Sequence, residues 1–263
     1  MDDLVTTQQP IIRYMDTGLL ELEDEIAVEY PLTIVVDGEE FATMVCTPTD
    51  IEELVIGFLA SEGLIRFSDD ILSLTVDKNR GFAYVELKHK QSVSKDFHSK
   101  RFIGSCCGKS RQFYLHNDAR TAKTVLSQTR ITTDQCFSLV NQMQEYSRDF
   151  QSTGGVHNAA LCTPDELILM RTDIGRHNAL DKIFGYMIQN RITPTNKIIV
   201  FSGRISSEVL LKVAKMGVGI ILSKSAPTTL ALDLAFDLGI TAIGFIRHSS
   251  MNIYTHPGRL LKG

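Results

Sequence analysis

The amino-acid sequence predicts an α/β protein in two parts, a small α+β unit over residues 1–100 and a larger three-layer α/β domain over residues 101–263. In the first part, two pairs of strand-like segments flank one helical segment, which is a ββαββ pattern. In the second part, strands alternate with helices of about 10 to 15 residues, which is typical of a largely parallel sheet covered by helices. A polar stretch at residues 91–100 separates the two patterns and is interpreted as a linker or surface loop.

The elements of the first part follow from turn and cap signals. Residues 1–24 have no clear pattern and are expected to form an irregular or edge-strand lead-in. Asp37-Gly38 between two β-branched runs predicts a hairpin of strands 27–36 and 40–46. Thr49 followed by Glu52 matches a capping box and predicts a helix over residues 50–62. Alternating apolar residues at 71–76 and 81–87 predict a second hairpin.

The second part is predicted from apolar periodicity and strand length. The expected helices cover residues 133–150, 176–189, 206–216 and 228–238. The expected strands cover residues 159–162, 166–171, 197–201, 218–222 and 241–246. Because ligands of such sheets bind at the carboxyl ends of the strands, the candidate binding region comprises residues 202–204, 223–228 and 247–252.

Composition excludes several classes of protein. The formal net charge is −4, so the whole chain has neither the basic balance of a nucleic-acid binder nor that of a protein attracted to anionic membranes. The first ten residues are acidic and polar, unlike a secretory signal, and no apolar run approaches the roughly 18 residues of a membrane helix. Five cysteines, an odd number with two adjacent, suit a reducing compartment. We therefore expect a cytoplasmic protein.

Three strand-to-helix turns carry residues suited to anions. Arg176 and His177 begin one helix, Ser202 and Arg204 precede the next, and the third turn contains the hydroxyl residues Ser223, Ser225 and Thr228. Helix amino termini attract anions, and arginine can grip a phosphate with two hydrogen bonds. Two alternatives stay open, namely that His177 is a structural histidine and that the Ser202 turn is an ordinary serine-capped helix with a surface arginine. Ordinary P-loop and Rossmann motifs are absent from the sequence.

Cys106 and Cys107 form the strongest candidate for nucleophilic chemistry. They lie between Gly104 and Gly108, and Lys109 follows two residues after Cys107. A nearby cation lowers the pKa of a thiol, and glycines would let the loop reach a partner. The alternative is that the pair is buried as small hydrophobic side chains. The other cysteines, at positions 46, 136 and 162, lie in strand or helix patterns and are interpreted as core residues.

A metal site is not expected. Adjacent cysteines lack the spacing of two to four residues that tetrahedral zinc sites use, and no second CxxC or HxxxH set is present.

Several ordered motifs together carry a resemblance to a known family. They are Gly154-Gly-Val-His-Asn-Ala-Ala-Leu161, Asp173-Ile-Gly-Arg-His-Asn-Ala-Leu-Asp-Lys182, Ser202-Gly-Arg-Ile-Ser-Ser-Glu208, Ser223-Lys-Ser-Ala-Pro-Thr228 and Gly244-Phe-Ile-Arg247 with Asn252-Ile-Tyr-Thr255. In this order they resemble the FdhD proteins, accessory proteins of formate dehydrogenase, along most of the chain.

The resemblance implies a sulfurtransferase. Such a protein accepts persulfide sulfur from a cysteine desulfurase and passes it to the Mo-bis-molybdopterin guanine dinucleotide cofactor for formate dehydrogenase. The family's acceptor loop usually holds CxxC, whereas this chain has Cys106 and Cys107 with nothing between them. We expect Cys107 to carry the persulfide, with Cys106 as an assistant or alternative. A non-catalytic chaperone of the molybdenum cofactor is the alternative function, and a thiol redox protein fits less well because adjacent cysteines form a strained disulfide.

The resemblance also implies a fold and a ligand pocket. The family's second domain is similar to the cytidine deaminase fold, but the glutamate after the histidine and the two cysteine ligands of a zinc deaminase are missing here. We expect the pocket to hold a guanine nucleotide end of the cofactor, so that GDP would mimic it. The cofactor-binding residues are expected to be Phe245, Ile246, Arg247, His248, Ser249 and Ser250, together with the turn residues named above. A cofactor with two nucleotide arms would suit a homodimer.

Overall fold

The computed structural model describes residues 4–89, 101–103, 123–147 and 152–261. It confirms an α/β architecture, with one sheet in each half of the chain and two further two-stranded sheets. The proposed boundary near residue 100 lies outside the described residues, as does the stretch 91–100. No helix in the described part of the chain is long and apolar enough to cross a membrane.

The chain begins with a long hairpin where an irregular or edge-strand lead-in was expected. Strands β1 (Thr6–Met15) and β2 (Gly18–Ala27) pair antiparallel over ten residue pairs without a register shift. The pairing of these two strands was not predicted, because the expectation relied on alternation between apolar and polar residues. That pattern marks strands with one buried face, and most of this hairpin is exposed on both faces.

The first sheet has the strand order β5-β6-β3-β4-β7. Its strands are β3 (Tyr30–Val36), β4 (Glu39–Cys46), β5 (Ile71–Asp77), β6 (Phe82–Leu87) and β7 (Arg101–Ile103). Both predicted hairpins are present, and β7 adds an edge strand parallel to β4. One helix, α1 (Ile51–Ser61), covers this sheet. It begins at Asp50 in a left-handed conformation without a side-chain cap, so the capping box predicted at Thr49 and Glu52 is wrong.

The second sheet has the strand order β10-β9-β11-β12-β13-β14. Its strands are β9 (His157–Cys162), β10 (Leu167–Asp173), β11 (Ile198–Phe201), β12 (Ile220–Ser223), β13 (Thr241–Arg247) and β14 (Ser250–Ile253). Only the central three strands are mutually parallel, whereas β9, β10 and β14 run antiparallel to their neighbours. The sheet is therefore parallel at its centre and antiparallel at both sides.

Helices cover both faces of this sheet, as predicted. On one face lies α2 (Thr133–Glu145), capped by a capping box between Thr132 and Gln135. On the other lie α3 (Arg176–Gln189), α4 (Ser207–Met216) and α5 (Thr229–Asp237). A short parallel pair, β8 (Ile131–Thr132) with β15 (Leu260–Leu261), lies beside α2.

The two halves of the chain join where α1 packs against α3. A methyl group built on Gly57 would lie 1.8 Å from the carbonyl oxygen of Asp181, and one built on Gly185 would lie 1.8 Å from that of Glu53. The helix backbones therefore touch without side chains between them, which only glycine permits at these two positions.

A buried ion pair lies beside this helix contact. Lys182 and Asp173 are both fully buried, and their charged groups are 2.8 Å apart. The Lys182 ammonium also donates to the Thr47 hydroxyl (2.7 Å) and to the Thr172 carbonyl (3.0 Å). Asp173 accepts hydrogen bonds from the Thr47 and Gly175 backbone amides. The network joins the end of β4 in the first sheet to the end of β10 in the second.

The glycine contact predicts strong sensitivity to added volume. We expect Gly185→Ala to lower the free energy of unfolding by about 3 kcal/mol, because the new methyl group would overlap the backbone of α1. Gly258→Ala is the matched control, since a methyl group there meets nothing within 4 Å. Denaturant unfolding of both variants measures the difference, and equal stabilities would contradict the close helix contact.

The buried ion pair predicts that loss of its cation lowers the stability of the protein far more than loss of the cation of an exposed ion pair. Lys182→Met should lower the free energy of unfolding by about 3 to 5 kcal/mol, because it leaves the Asp173 carboxylate buried without a cation. Arg13→Met removes an exposed ion pair with Asp24 and should cost less than about 1 kcal/mol. Comparable losses in thermal or denaturant unfolding would show that Asp173 does not depend on Lys182.

Candidate functional site

The carboxyl ends of the three parallel strands meet at one edge of the second sheet, here called the carboxyl edge. β11 ends at Phe201, β12 at Ser223 and β13 at Arg247. Because β9 and β10 run antiparallel to β11 and β9 respectively, the start of β9 at His157 and the end of β10 at Asp173 lie at this edge too. The structure thus brings together all the turns that the sequence singled out.

The serine hydroxyls at the carboxyl edge hold the loops in place. Ser223 Oγ donates to the Gly203 carbonyl (2.8 Å), and Ser225 Oγ donates to the Ser202 carbonyl (3.2 Å). Ser202 Oγ accepts from the Asn158 amide (2.9 Å). Three predicted ligand-binding hydroxyls therefore have partners within the protein and shape the edge, whereas Thr228 is exposed at the start of α5 and makes no side-chain cap.

Three arginines supply positive charge to the same edge. Arg204 and Arg247 are exposed, and Arg176 is half-buried as the first residue of α3. Among the described residues, none forms a hydrogen bond or ion pair with these guanidinium groups. Their donors can therefore bind an external anion, and the positive end of the α3 helix dipole favours an anion at the same place.

The segment from Phe245 to Ser250 forms the far side of the edge. A β-bulge interrupts the pairing of β13 with β14, and Phe245 and His248 adopt φ angles of 50° and 34°. Such positive values are rare for residues other than glycine and mark a backbone held by its surroundings. The side chains of Phe245, His248, Ser249 and Ser250 are exposed, but that of Ile246 is 1% exposed within the core. Ile246 can therefore offer a ligand only its backbone.

A pair of histidines lies behind the arginines. His177 Nε2 is 2.9 Å from Glu208 Oε2, which joins the first turns of α3 and α4. The His157 imidazole makes no hydrogen bond with another described residue, and its Nδ1 lies beside Gly203. Burial, followed by the positive charges of Arg176 and His177, lowers the pKa of His157 and favours its neutral form near pH 7.

His157 and Glu208 were missed as site residues from the sequence. Each is part of a motif given above. However, a single histidine in a Gly-Gly-Val-His-Asn segment does not by itself indicate a binding site, and neither does a glutamate in a helix. The sequence signal that could have found them is position, since both fall within three residues of a strand or helix terminus at the carboxyl edge. No cluster of three or more metal-binding side chains occurs in the residues that the structure describes.

The segment from Asp173 to Lys182 divides its residues between two tasks. Asp173, Asn178 and Lys182 face the junction with the first sheet, where Asn178 donates to the Val45 carbonyl and to Asp173. Arg176 and His177 face the carboxyl edge instead. One motif therefore both fixes the amino terminus of α3 against the first sheet and presents its charged residues at the second.

The three described cysteines are unsuited to sulfur chemistry. Cys46, Cys136 and Cys162 are fully buried. Burial raises the pKa of the Cys136 and Cys162 thiols to about 12, and it raises that of Cys46 further. At neutral pH these groups stay protonated, and the thiolate is the nucleophile, so they match the predicted core role. Cys106 and Cys107 lie outside the described residues.

Comparison with known proteins agrees with the motifs. A sequence model described as the FdhD/NarQ family matches residues 27–261. The chain is 58% identical over 263 residues to a sulfur carrier protein FdhD of Geobacillus kaustophilus, with 100% of each chain covered. It is 55% identical over 260 residues to the protein of the same name from Bacillus subtilis, with 99% of each covered.

A solved structure has the same fold. It comes from Desulfotalea psychrophila and is described as a formate dehydrogenase accessory protein. The TM-score is 0.83 over 98% of this chain and 100% of that chain, at 24% sequence identity, so this likeness supports the fold alone. The family match covers most of the chain and the relatives exceed half identity along its whole length, so the chain belongs to the FdhD/NarQ family.

Proposed function

We propose that this chain is a sulfur carrier that accepts persulfide sulfur from a cysteine desulfurase and transfers it to the molybdenum cofactor of formate dehydrogenase. The name of its relatives, sulfur carrier protein FdhD, supports the sulfur-carrying part. The client is proposed from the resemblance to the FdhD proteins, and the description of the solved structure with the same fold names the same enzyme. The proposed cargo is Mo-bis-molybdopterin guanine dinucleotide, and the proposed compartment is the cytoplasm.

The observation that carries this proposal is the direction of β7. This strand pairs parallel with β4, with Ile103 opposite Met44. β4 ends at Cys46, and the next residue, Thr47, hydrogen-bonds Asp173 at the carboxyl edge. β7 therefore also runs towards that edge. Cys107 follows Ile103 by four residues, a chain length that reaches at most about 14 Å.

The sulfur-accepting step needs one reactive thiol on this chain. In the proposed step, the thiolate of Cys107 attacks the outer sulfur of the desulfurase persulfide. A new sulfur–sulfur bond forms, the old one breaks, and the desulfurase cysteine leaves as a thiolate. Since the three buried cysteines keep their protons, Cys106 and Cys107 are the only thiols in the sequence left for this role.

The molybdenum cofactor would be held at the carboxyl edge through the phosphates of its guanine dinucleotide. Arg204 and Arg247 are exposed and have no partner among the described residues, and Arg176 adds a third cation beside the amino terminus of α3. GDP resembles the nucleotide end of the cofactor and serves as its mimic. The neutral imidazole of His157 lies behind the arginines and has one nitrogen that donates and one that accepts a hydrogen bond. It therefore adds an acceptor to the carboxyl edge, whereas the guanidinium groups supply donors alone.

A non-catalytic chaperone of the cofactor is the second candidate. The same arginines and helix amino termini would serve a protein that only holds the cargo or the apo-dehydrogenase. The two functions differ in their need for a reactive thiol, because a chaperone tolerates the loss of Cys106 and Cys107 whereas a sulfur carrier does not.

The arginine arrangement predicts nucleotide binding. Arg204→Ala and Arg247→Ala should each raise the dissociation constant for GDP by about 10-fold or more, since each removes a charge-assisted hydrogen bond to phosphate. Lys197→Ala is the control, because Lys197 precedes β11 at the opposite end of the strand. Titration calorimetry measures all three. Wild-type affinity for GDP in both arginine variants would contradict nucleotide binding at the carboxyl edge.

The thiol assignment predicts where sulfur is carried. Incubation with a cysteine desulfurase and cysteine should add the mass of one sulfur atom to the peptide that contains Cys106 and Cys107. Cys107→Ala should abolish most of this adduct and Cys106→Ala should reduce it less, because Gly108 and Lys109 directly follow Cys107. Mass spectrometry after alkylation of the native protein identifies the peptide.

Native alkylation supplies the control for this experiment. Cys46, Cys136 and Cys162 should react only after denaturation, because they are buried. A full adduct on Cys106 in Cys107→Ala would exchange the roles of the two thiols. An absence of sulfur on both would favour the chaperone.

A further inference from the structure

The carboxyl edge contains a carboxylate that phosphate binding by the arginines does not use. The edge is formed by four turn segments, namely residues 173–177, 202–208, 223–228 and 245–250. These segments contain two acidic residues, Asp173 and Glu208. Asp173 is fully buried against Lys182, whereas the side chain of Glu208 is 20% exposed. Glu208 is therefore the one carboxylate of these four segments that a bound molecule can reach.

This carboxylate is separate from the arginines of the same edge. Its Oε2 lies 2.9 Å from His177 Nε2. Within the described part of the chain, Glu208 forms no ion pair with Arg176, Arg204 or Arg247. A fixed carboxylate repels phosphate, so Glu208 weakens the binding of any ligand that is only an anion. A ligand that suits the whole edge therefore has an anionic part and, apart from it, a group of hydrogen-bond donors.

Guanine is the nucleobase that presents such donors side by side. Its N1–H and 2-amino groups match the two oxygens of a carboxylate. Adenine and cytosine each place an amino donor beside a ring nitrogen that accepts, and uracil has one N–H between two carbonyls. The pterin ring has the same 2-amino-4-oxopyrimidine edge as guanine, and Mo-bis-molybdopterin guanine dinucleotide contains both rings. Either ring of the proposed cofactor therefore offers the donors that a carboxylate accepts.

The structure holds this carboxylate in a fixed position. His177 is the second residue of α3 and Glu208 is the second residue of α4, so their contact joins the first turns of two helices. The Ser206 hydroxyl caps α4 by accepting from the Val209 amide. A carboxylate has about four lone-pair sites, so Glu208 can accept from His177 and from a ligand ring together. A group that is already ordered loses little conformational entropy when it binds.

We propose that Glu208 is a specificity-determining residue, whose carboxylate accepts two hydrogen bonds from the 2-amino-4-oxopyrimidine edge that guanine and pterin share. This inference rests on the proposed binding of the cofactor at the carboxyl edge, where the arginines hold its phosphates. An adenine ring in the same place would set the lone pair of its N1 against a charged oxygen, so an adenine nucleotide is rejected. Glu208 thus selects the ring, and the arginines supply affinity for the diphosphate.

The test measures selectivity between rings with titration calorimetry. The wild type should bind GDP about 100-fold more tightly than ADP or xanthosine diphosphate, as two hydrogen bonds to a charged group imply. Glu208→Gln should reverse the preference between GDP and xanthosine diphosphate, because the amide accepts from N1–H and donates to the 2-carbonyl of xanthine. A merely structural effect of the substitution would weaken all three nucleotides and would create no affinity for xanthosine diphosphate.

Two control variants separate selection of the ring from binding of the phosphates. Arg247→Ala should weaken GDP and xanthosine diphosphate by the same factor and leave the ratio of their dissociation constants unchanged. Glu166→Gln is the matched control for the substitution itself and should change neither constant. Glu166 is exposed and precedes β10, at the end of the sheet opposite the carboxyl edge. Circular dichroism verifies that each variant is folded.

A further ligand, 6-hydroxymethylpterin diphosphate, identifies which ring Glu208 binds. It joins a pterin to a diphosphate, and the ligand that loses more affinity in Glu208→Gln contains the selected ring. If Glu208→Gln changes neither the selectivity for GDP nor the affinity for the pterin, the role of Glu208 is overturned while the cofactor site at the arginines stands. If the wild type binds none of these diphosphates, the cofactor site and the role of Glu208 are overturned together.

Discussion

The ion pair between Lys182 and Asp173 is the interaction on which the arrangement of the protein depends. Neither charge reaches solvent, so each is tolerated only because the other is present together with the hydrogen bonds from Thr47 and Gly175. Asp173 ends β10, Lys182 lies within α3, and Thr47 follows β4. The pair therefore sets the position of three elements from both halves of the chain relative to one another.

This arrangement determines what reaches the carboxyl edge. Because Asp173 also accepts from the Gly175 amide, it fixes the turn that begins α3 and thereby the direction of Arg176 and His177. Since β4 is held at the same point, its parallel neighbour β7 is aimed there as well. The arginines of the carboxyl edge and strand β7, which leads to the cysteine pair, therefore both depend on the buried network of Lys182 and Asp173.

Much of the second half could be predicted from the sequence because its signals are local. The helix at Arg176–Gln189 and the strand at β11 follow from apolar periodicity and length, and each terminus carries a clear turn residue. The convergence of Arg176, Ser202 and Ser223 also follows, because parallel strands place their ends at one edge. The sequence could not show which atoms each side chain contacts. Ser223 and Ser225 hydrogen-bond to the neighbouring loop, and Ile246 lies in the core.

The hairpin of β1 and β2 and the contact between α1 and α3 were not predicted from the sequence, for a related reason. An exposed hairpin has no buried face and so lacks alternation, and the start of α1 has no capping side chain although Thr49 and Glu52 have the spacing of a capping box. The roles of Gly57 and Gly185 depend on residues more than one hundred positions away, namely each other's helices. No window along the sequence contains both.

The backbone contact at Gly57 and Gly185 has a mechanical consequence. Domains that open and close by shear do so on a layer of side chains whose rotamers absorb small displacements. Here that layer is missing, and a carbonyl oxygen occupies the place where a side chain would begin. Sliding or rotating one half on the other would drive backbone into backbone. We therefore expect the two sheets to move as a single body, because the contact leaves no side chains that could adjust to a displacement.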